Sequence, residues 1–84
     1  MNLRRIQVVV FGPVRDIVGT SEITLELKEP FTGAAALETL AGLYPALAAW
    51  KGSVRLAVNR AYAPFDQTLQ PGDEVSFLPP VSGG

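Results

Sequence analysis

One long helical stripe stands among segments that repeat at two, and that combination limits the folds open to this chain. Between Ala34 and Tyr44, the residues Leu37, Leu40, Ala41 and Tyr44 fall at i, i+3, i+4 and i+7, the spacing of a helix that buries one side. Elsewhere the alternation is that of strands. Ile23, Leu25 and Leu27 oppose Glu22, Thr24 and Glu26; Val54, Leu56 and Val58 oppose Arg55 and Ala57; Val75 and Phe77 oppose Glu74, Ser76 and Leu78. Each strand needs cover for one apolar face, and a single main helix can supply it only if the strands form one sheet. An α+β fold follows, with the sheet packed on that helix.

The remaining segments fit this arrangement. Leu3 to Phe11 grows steadily more apolar and ends in Val8-Val9-Val10-Phe11, which reads as a central first strand covered on both faces. Gly12-Pro13 breaks it and opens a short helical insert with Val14, Ile17 and Val18 inward, closed by Gly19. The brief connection to Ser21–Leu27 predicts an antiparallel pair. Thr32 is placed to cap the main helix. Pro45 ends that helix and starts a new turn with Leu47 and Trp50 inward, Trp50 as a core anchor. The third strand stops near Asn59-Arg60, and Phe65 to Leu69 reads as irregular. Gln70-Pro71-Gly72-Asp73 has Pro and Gly at the central positions of a type II turn. Leu78 is the odd member of the last strand, an apolar residue on a polar face, suited to covering a loop or meeting a partner.

Composition removes most chemistry. The 84 residues contain no Cys and no His, so thiolate nucleophiles, disulfides, iron-sulfur ligation, most zinc sites and any Ser-His or Cys-His couple are excluded. Seven basic against eight acidic residues give a net charge of −1, with no basic footprint for nucleic acid or an anionic membrane. No apolar run has the length of a signal peptide or a membrane span, so a cytoplasmic domain is expected. Asp66 and Asp73 sit in loops, where a carboxylate ordinarily caps backbone amides. Arg4-Arg5 reads as a solvated strand start. Arg15, in the insert, is placed either to pair with Asp16 or Glu22 or to contact an acidic patch on a partner.

There remains the segment from Pro79 to Gly84, distinct from the domain at 1–78. Pro79-Pro80 lacks both amide donors, ends the strand and projects the last four residues away from the sheet. Six extended residues reach about 20 Å. Gly83-Gly84 is slim enough to enter a narrow channel and present a main-chain carboxylate there; it is equally the composition of a frayed end. A terminal carboxylate is an anion near neutral pH and a poor electrophile, so chemistry at this group requires activation. Joining it to AMP supplies a leaving group. Sulfide then yields a thiocarboxylate, whereas a lysine amine yields a protein conjugate.

The order strand, short helix, strand, long helix, then two or three strands is that of the ubiquitin-like β-grasp. Within it, the chain resembles the family of molybdopterin synthase small, sulfur-carrier subunits. The resemblance rests on Phe11-Gly12-Pro13-Val14-Arg15-Asp16-Ile17-Val18-Gly19, Leu56-Ala57-Val58-Asn59, Leu69-Gln70-Pro71-Gly72-Asp73-Glu74-Val75 and Phe77-Leu78-Pro79-Pro80-Val81-Ser82-Gly83-Gly84. Thiamine-pathway carriers share the Gly-Gly ending but lack the Phe-Gly-x-x-Arg insert and the Pro-Pro-Val-Ser tail. The resemblance implies that Gly84 is adenylated with ATP by an E1-like adenylyltransferase and then converted by a sulfur donor to a thiocarboxylate. That sulfur would pass to cyclic pyranopterin monophosphate within the synthase. It further implies that Pro80, Val81, Ser82 and Gly83 line the insertion channel, and that Arg15, Tyr62 and Leu78 belong to the docking surface for the large subunit. A heterotetramer of two small and two large subunits is implied in the same way, with no catalysis by this chain alone. Attachment to protein lysines, and sulfur supply to another pathway such as thiamine or tRNA thiolation, are the alternatives.

Overall fold

The computed structural model describes residues 2–79. The elements in chain order are β1 (Arg4–Val10), α1 (Gly12–Val18), β2 (Glu22–Leu27), α2 (Gly33–Leu43), a 3-10 turn (Pro45–Trp50), β3 (Arg55–Val58), β4 (Ala61–Ala63) and β5 (Glu74–Leu78). The five strands form one sheet in the order β2-β1-β5-β3-β4. β1 and β5 are parallel, and every other pair is antiparallel. This is the β-grasp arrangement, an open mixed sheet holding one main helix.

Local chemistry places the helix ends as expected. The Ala35 N–H donates to the Thr32 hydroxyl at 3.2 Å, capping α2. Gly19 closes α1 with φ 86°, a left-handed conformation natural for glycine. In the turn before β5, Gly72 has φ 84° and the Asp73 N–H donates to the Gln70 carbonyl at 3.1 Å, as a type II turn requires. No helix of the described residues is long and apolar enough to cross a membrane.

The core lies between α2 and one face of the sheet. Val8, Val10, Val75, Phe77, Leu56, Leu40, Leu47 and Leu69 are essentially sealed from solvent, each burial stabilising by roughly 1.5–3 kcal/mol. Trp50 is half-buried against this cluster, in the expected role of anchor. α2 lies close to the sheet because its first residue is glycine: a Cβ on Gly33 would overlap Leu56 Cδ2.

Two local expectations change, and one short strand is added to those read from the sequence. β1 is central, but only one of its faces is covered by another layer; Val9, facing away from α2, is half-buried. Arg4 is not a solvated strand start. Its Nη1 donates to the Leu69 carbonyl at 2.6 Å and its guanidinium lies 4.0 Å from the Phe31 ring centroid, tying the β1 start to two loops. The third strand does stop at Asn59-Arg60, but the chain does not run on irregularly from there. Both residues take positive φ, 51° and 70°, and reverse the chain into β4.

Candidate functional site

The face of the sheet turned away from α2 has no layer over it, and its side chains fall into rows across the strands. Register sets Val9 beside Ser76, Ser76 beside Ala57, and Ala57 beside Tyr62. The centre of this row is built from small side chains, with Ala57 and Ser76 nearly buried at 7% and 8% exposure. Phe11, Leu78 and Tyr62 stand higher around them. The result is an open slot of about 570 Å³ with an apolar floor. Phe11 and Tyr62 are two of the four large hydrophobic residues that the described chain leaves exposed. Gathered round one depression, they form a patch of the kind that marks an interaction surface.

The two ends of this face differ. Away from the chain's exit, polar groups satisfy one another: Thr24 donates to Gln7 at 2.5 Å, Gln7 donates to Glu22 at 3.2 Å, and Arg5 pairs with Glu26 at 3.5 Å. Arg60 meets Glu74 at 3.6 Å on the slot's border. Asp73 accepts from the Gln70 N–H and from Asn59 Nδ2, at 2.8 and 3.1 Å, which explains it as a turn-fixing carboxylate. Among the described residues no group of three or more carboxylates could hold a metal ion. The other end is apolar and lies where the chain leaves the sheet. Val10 pairs with Phe77 at the parallel ends of β1 and β5, so Phe11 and Leu78 follow side by side. Pro79 comes next, beside Gly12, where an added Cβ would lie 3.7 Å from Pro79 Cγ.

Of the residues read from sequence as a docking surface, Tyr62 and Leu78 meet at this slot although they lie on different strands. Arg15 is exposed on α1 and does not line the slot; it has no ion pair with Asp16 or Glu22 among the described residues. Pro80, Val81, Ser82, Gly83 and Gly84 lie outside the described residues. Phe11 was missed. Its signal was available, an aromatic residue still in extended conformation directly before the Gly12-Pro13 break, with φ −138° and ψ 159°. Ala57 and Ser76 carry no such signal, because a small residue in a strand is unremarked until its neighbours are known.

Residues 8–84 match the model of the ThiS family. The chain is 40% identical to the molybdopterin synthase sulfur carrier subunit of Escherichia coli over 81 residues, covering 94% of this chain and 99% of that one. Among solved structures, small archaeal modifier protein 1 from Methanosarcina acetivorans is similar with a TM-score of 0.83 and 26% identity, both chains covered completely. A chain in the protein-protein complex of subunits 1 and 2 of the molybdopterin-converting factor from Helicobacter pylori is similar with a TM-score of 0.66 and 25% identity, covering 95% of this chain and 99% of that one.

Proposed function

Because this chain belongs to the ThiS family, with molybdopterin synthase sulfur carrier subunits among its relatives, we propose that it carries sulfur for molybdopterin biosynthesis on its terminal glycine, Gly84. The observation that carries this reading is the family match itself, which runs through the Gly83-Gly84 ending. The chain's own inventory supports it, since a protein without Cys or His has no side-chain thiol or Ser-His couple with which to hold sulfur. The carrier does no catalysis alone; it donates sulfur as a subunit of a sulfurtransferase.

The steps rest on carboxylate chemistry. The Gly84 carboxylate attacks the α-phosphorus of ATP on an E1-like adenylyltransferase, forming an acyl adenylate and releasing pyrophosphate. Sulfide delivered by a sulfur donor adds to the activated carbonyl and expels AMP, leaving a thiocarboxylate. In the synthase, that sulfur passes to cyclic pyranopterin monophosphate. Each dithiolene needs two sulfurs, and hence two charged carriers, for which a heterotetramer of two small and two large subunits is suited. Pro80, Val81, Ser82 and Gly83 thread the partner's channel, while Tyr62 and Leu78, with Phe11 beside them, dock on its mouth and Arg15 contributes from α1.

Intact-mass measurement after incubation with ATP, the matching adenylyltransferase and a sulfur source tests this directly. Replacement of one oxygen by sulfur at Gly84 is expected. One residue added after Gly84 should abolish molybdopterin formation and leave the fold intact; an extended chain that stayed active without trimming would overturn the terminal mechanism. Likeness to an archaeal modifier protein favours one second reading, attachment to lysines. Isopeptide-linked adducts in the same mass measurement would establish it.

A further inference from the structure

The five arginines of this chain divide by what their guanidinium groups meet. Arg4 is held by the Leu69 carbonyl and the Phe31 ring, Arg5 by Glu26 and Arg60 by Glu74. Arg15 and Arg55 have neither an ion pair nor a side-chain hydrogen bond among the described residues. Arg55 has the more telling position. Antiparallel register sets it directly beside Leu78, one residue before Pro79, on the face that carries the slot. It is exposed and stands just outside the slot, next to its lining residue Leu78, and it lines a neighbouring depression together with Tyr62, Ala63, Pro64 and Phe65.

Resting on the reading that this face docks a partner, we infer that Arg55 is the ionic anchor of that docking, meeting a carboxylate on the rim of the channel that takes the tail. Covering the slot removes water from its border, and a guanidinium desolvated there without a counter-charge would oppose binding. Among the described residues this chain supplies none: Arg55's nearest strand neighbour is Leu78, and Glu74 already holds Arg60. The counter-charge therefore belongs to the partner. Arginine suits the task, because its planar fork grips a carboxylate through two parallel bonds while its stem lies on apolar surface. A cation one strand step from the exit also orients the encounter, drawing an acidic rim to the end from which the tail leaves. The occupant is thus a protein with an acidic-rimmed channel, not a second copy of this chain, whose own exit end is cationic.

Association of the full-length chain with its cognate synthase large subunit, measured by stopped-flow across a range of salt, tests the assignment. Arg55→Glu should slow association at low salt by about tenfold or more, with the gap closing as salt rises. Arg55→Lys should keep the association rate and dissociate faster, because it keeps the charge and loses the fork. Arg5→Gln, on the far end and already paired, should leave both rates unchanged. Equal rates for Arg55→Glu and wild type, or tighter binding by Arg55→Leu, would overturn the ionic role. Failure of the carrier reading shows separately, as a wild-type chain that binds but never gains sulfur at Gly84.

Discussion

Gly33 shows how one missing side chain sets the depth of the fold. It opens α2, it is buried, and a Cβ there would overlap the Leu56 side chain, which is itself sealed in the core at 1% exposure. Alanine is the better helix former by up to about 1 kcal/mol. Overpacking a filled core costs about 1–3 kcal/mol, so the steric term prevails. Gly33→Ala should therefore destabilise by about 1–2 kcal/mol, read as a lower urea midpoint at unchanged slope; a gain in stability would show that Leu56 has room to turn away. None of this was legible in Thr32-Gly33-Ala34, where the glycine looks like ordinary helix-start composition. Arg4 is the parallel case among polar residues: its partners Phe31 and Leu69 come from distant loops, and no local pattern pairs them with it.

At the scale of elements, the hairpin from β3 to β4 carries visible backbone strain. Asn59 and Arg60 both have positive φ, in the pattern of the two-residue reversals for which Asn-Gly is the preferred pair. Asparagine fits the first position, and its side chain adds two bonds, accepting from the Glu74 N–H at 3.0 Å and donating to Asp73. Arginine at φ 70° does not fit the second. Arg60→Gly relieves that conformation and gives up an exposed ion pair with Glu74, worth little in water. A net gain of about 0.5–1 kcal/mol is expected, seen as a melting temperature higher by about 2–8 °C; a lower one would mean that the Arg60 stem supports the slot. The sequence reading placed the end of the third strand at this dipeptide correctly but did not foresee the hairpin, because Asn-Arg lacks the glycine that announces such a turn. β2, β5 and α2 were legible because each repeats its own period over five or more residues, and β1 because it ends in a β-branched apolar run, whereas β4 has three residues, too few to show either signal.

Across the whole molecule, the core and the proposed docking slot occupy opposite faces of one sheet. Neighbouring positions on β3 separate them. Leu56 faces α2, and Leu56→Ala should cost about 2–5 kcal/mol through the cavity it leaves. Ala57 floors the slot, and Ala57→Leu fills it without touching the core. The expected outcome is a melting temperature close to wild type with association to the large subunit weakened at least about tenfold, as for truncation of a central interface contact. If Ala57→Leu bound normally, the slot would not be the contact surface. Arg60 and Tyr62 border the same slot, so the hairpin variant belongs in this binding assay as well as the thermal one.

Linear order and composition were enough for the kinds of element, the one-helix, one-sheet architecture, the exclusion of thiol and imidazole chemistry, and the expectation of a chemically used terminal glycine. These rest on local periodicity, on residue counts and on short contiguous motifs, all of which survive in one dimension. Folding in three dimensions was needed to bring Val9, Ala57 and Ser76 together as a floor, to set Phe11, Tyr62 and Leu78 around it, to let α2 approach over Gly33, and to stand Arg55 beside the chain's exit. Each of those depends on register between strands up to 67 residues apart in sequence, as for Val9 and Ser76. Register is set by which faces are buried together, and that is a property of the assembled sheet.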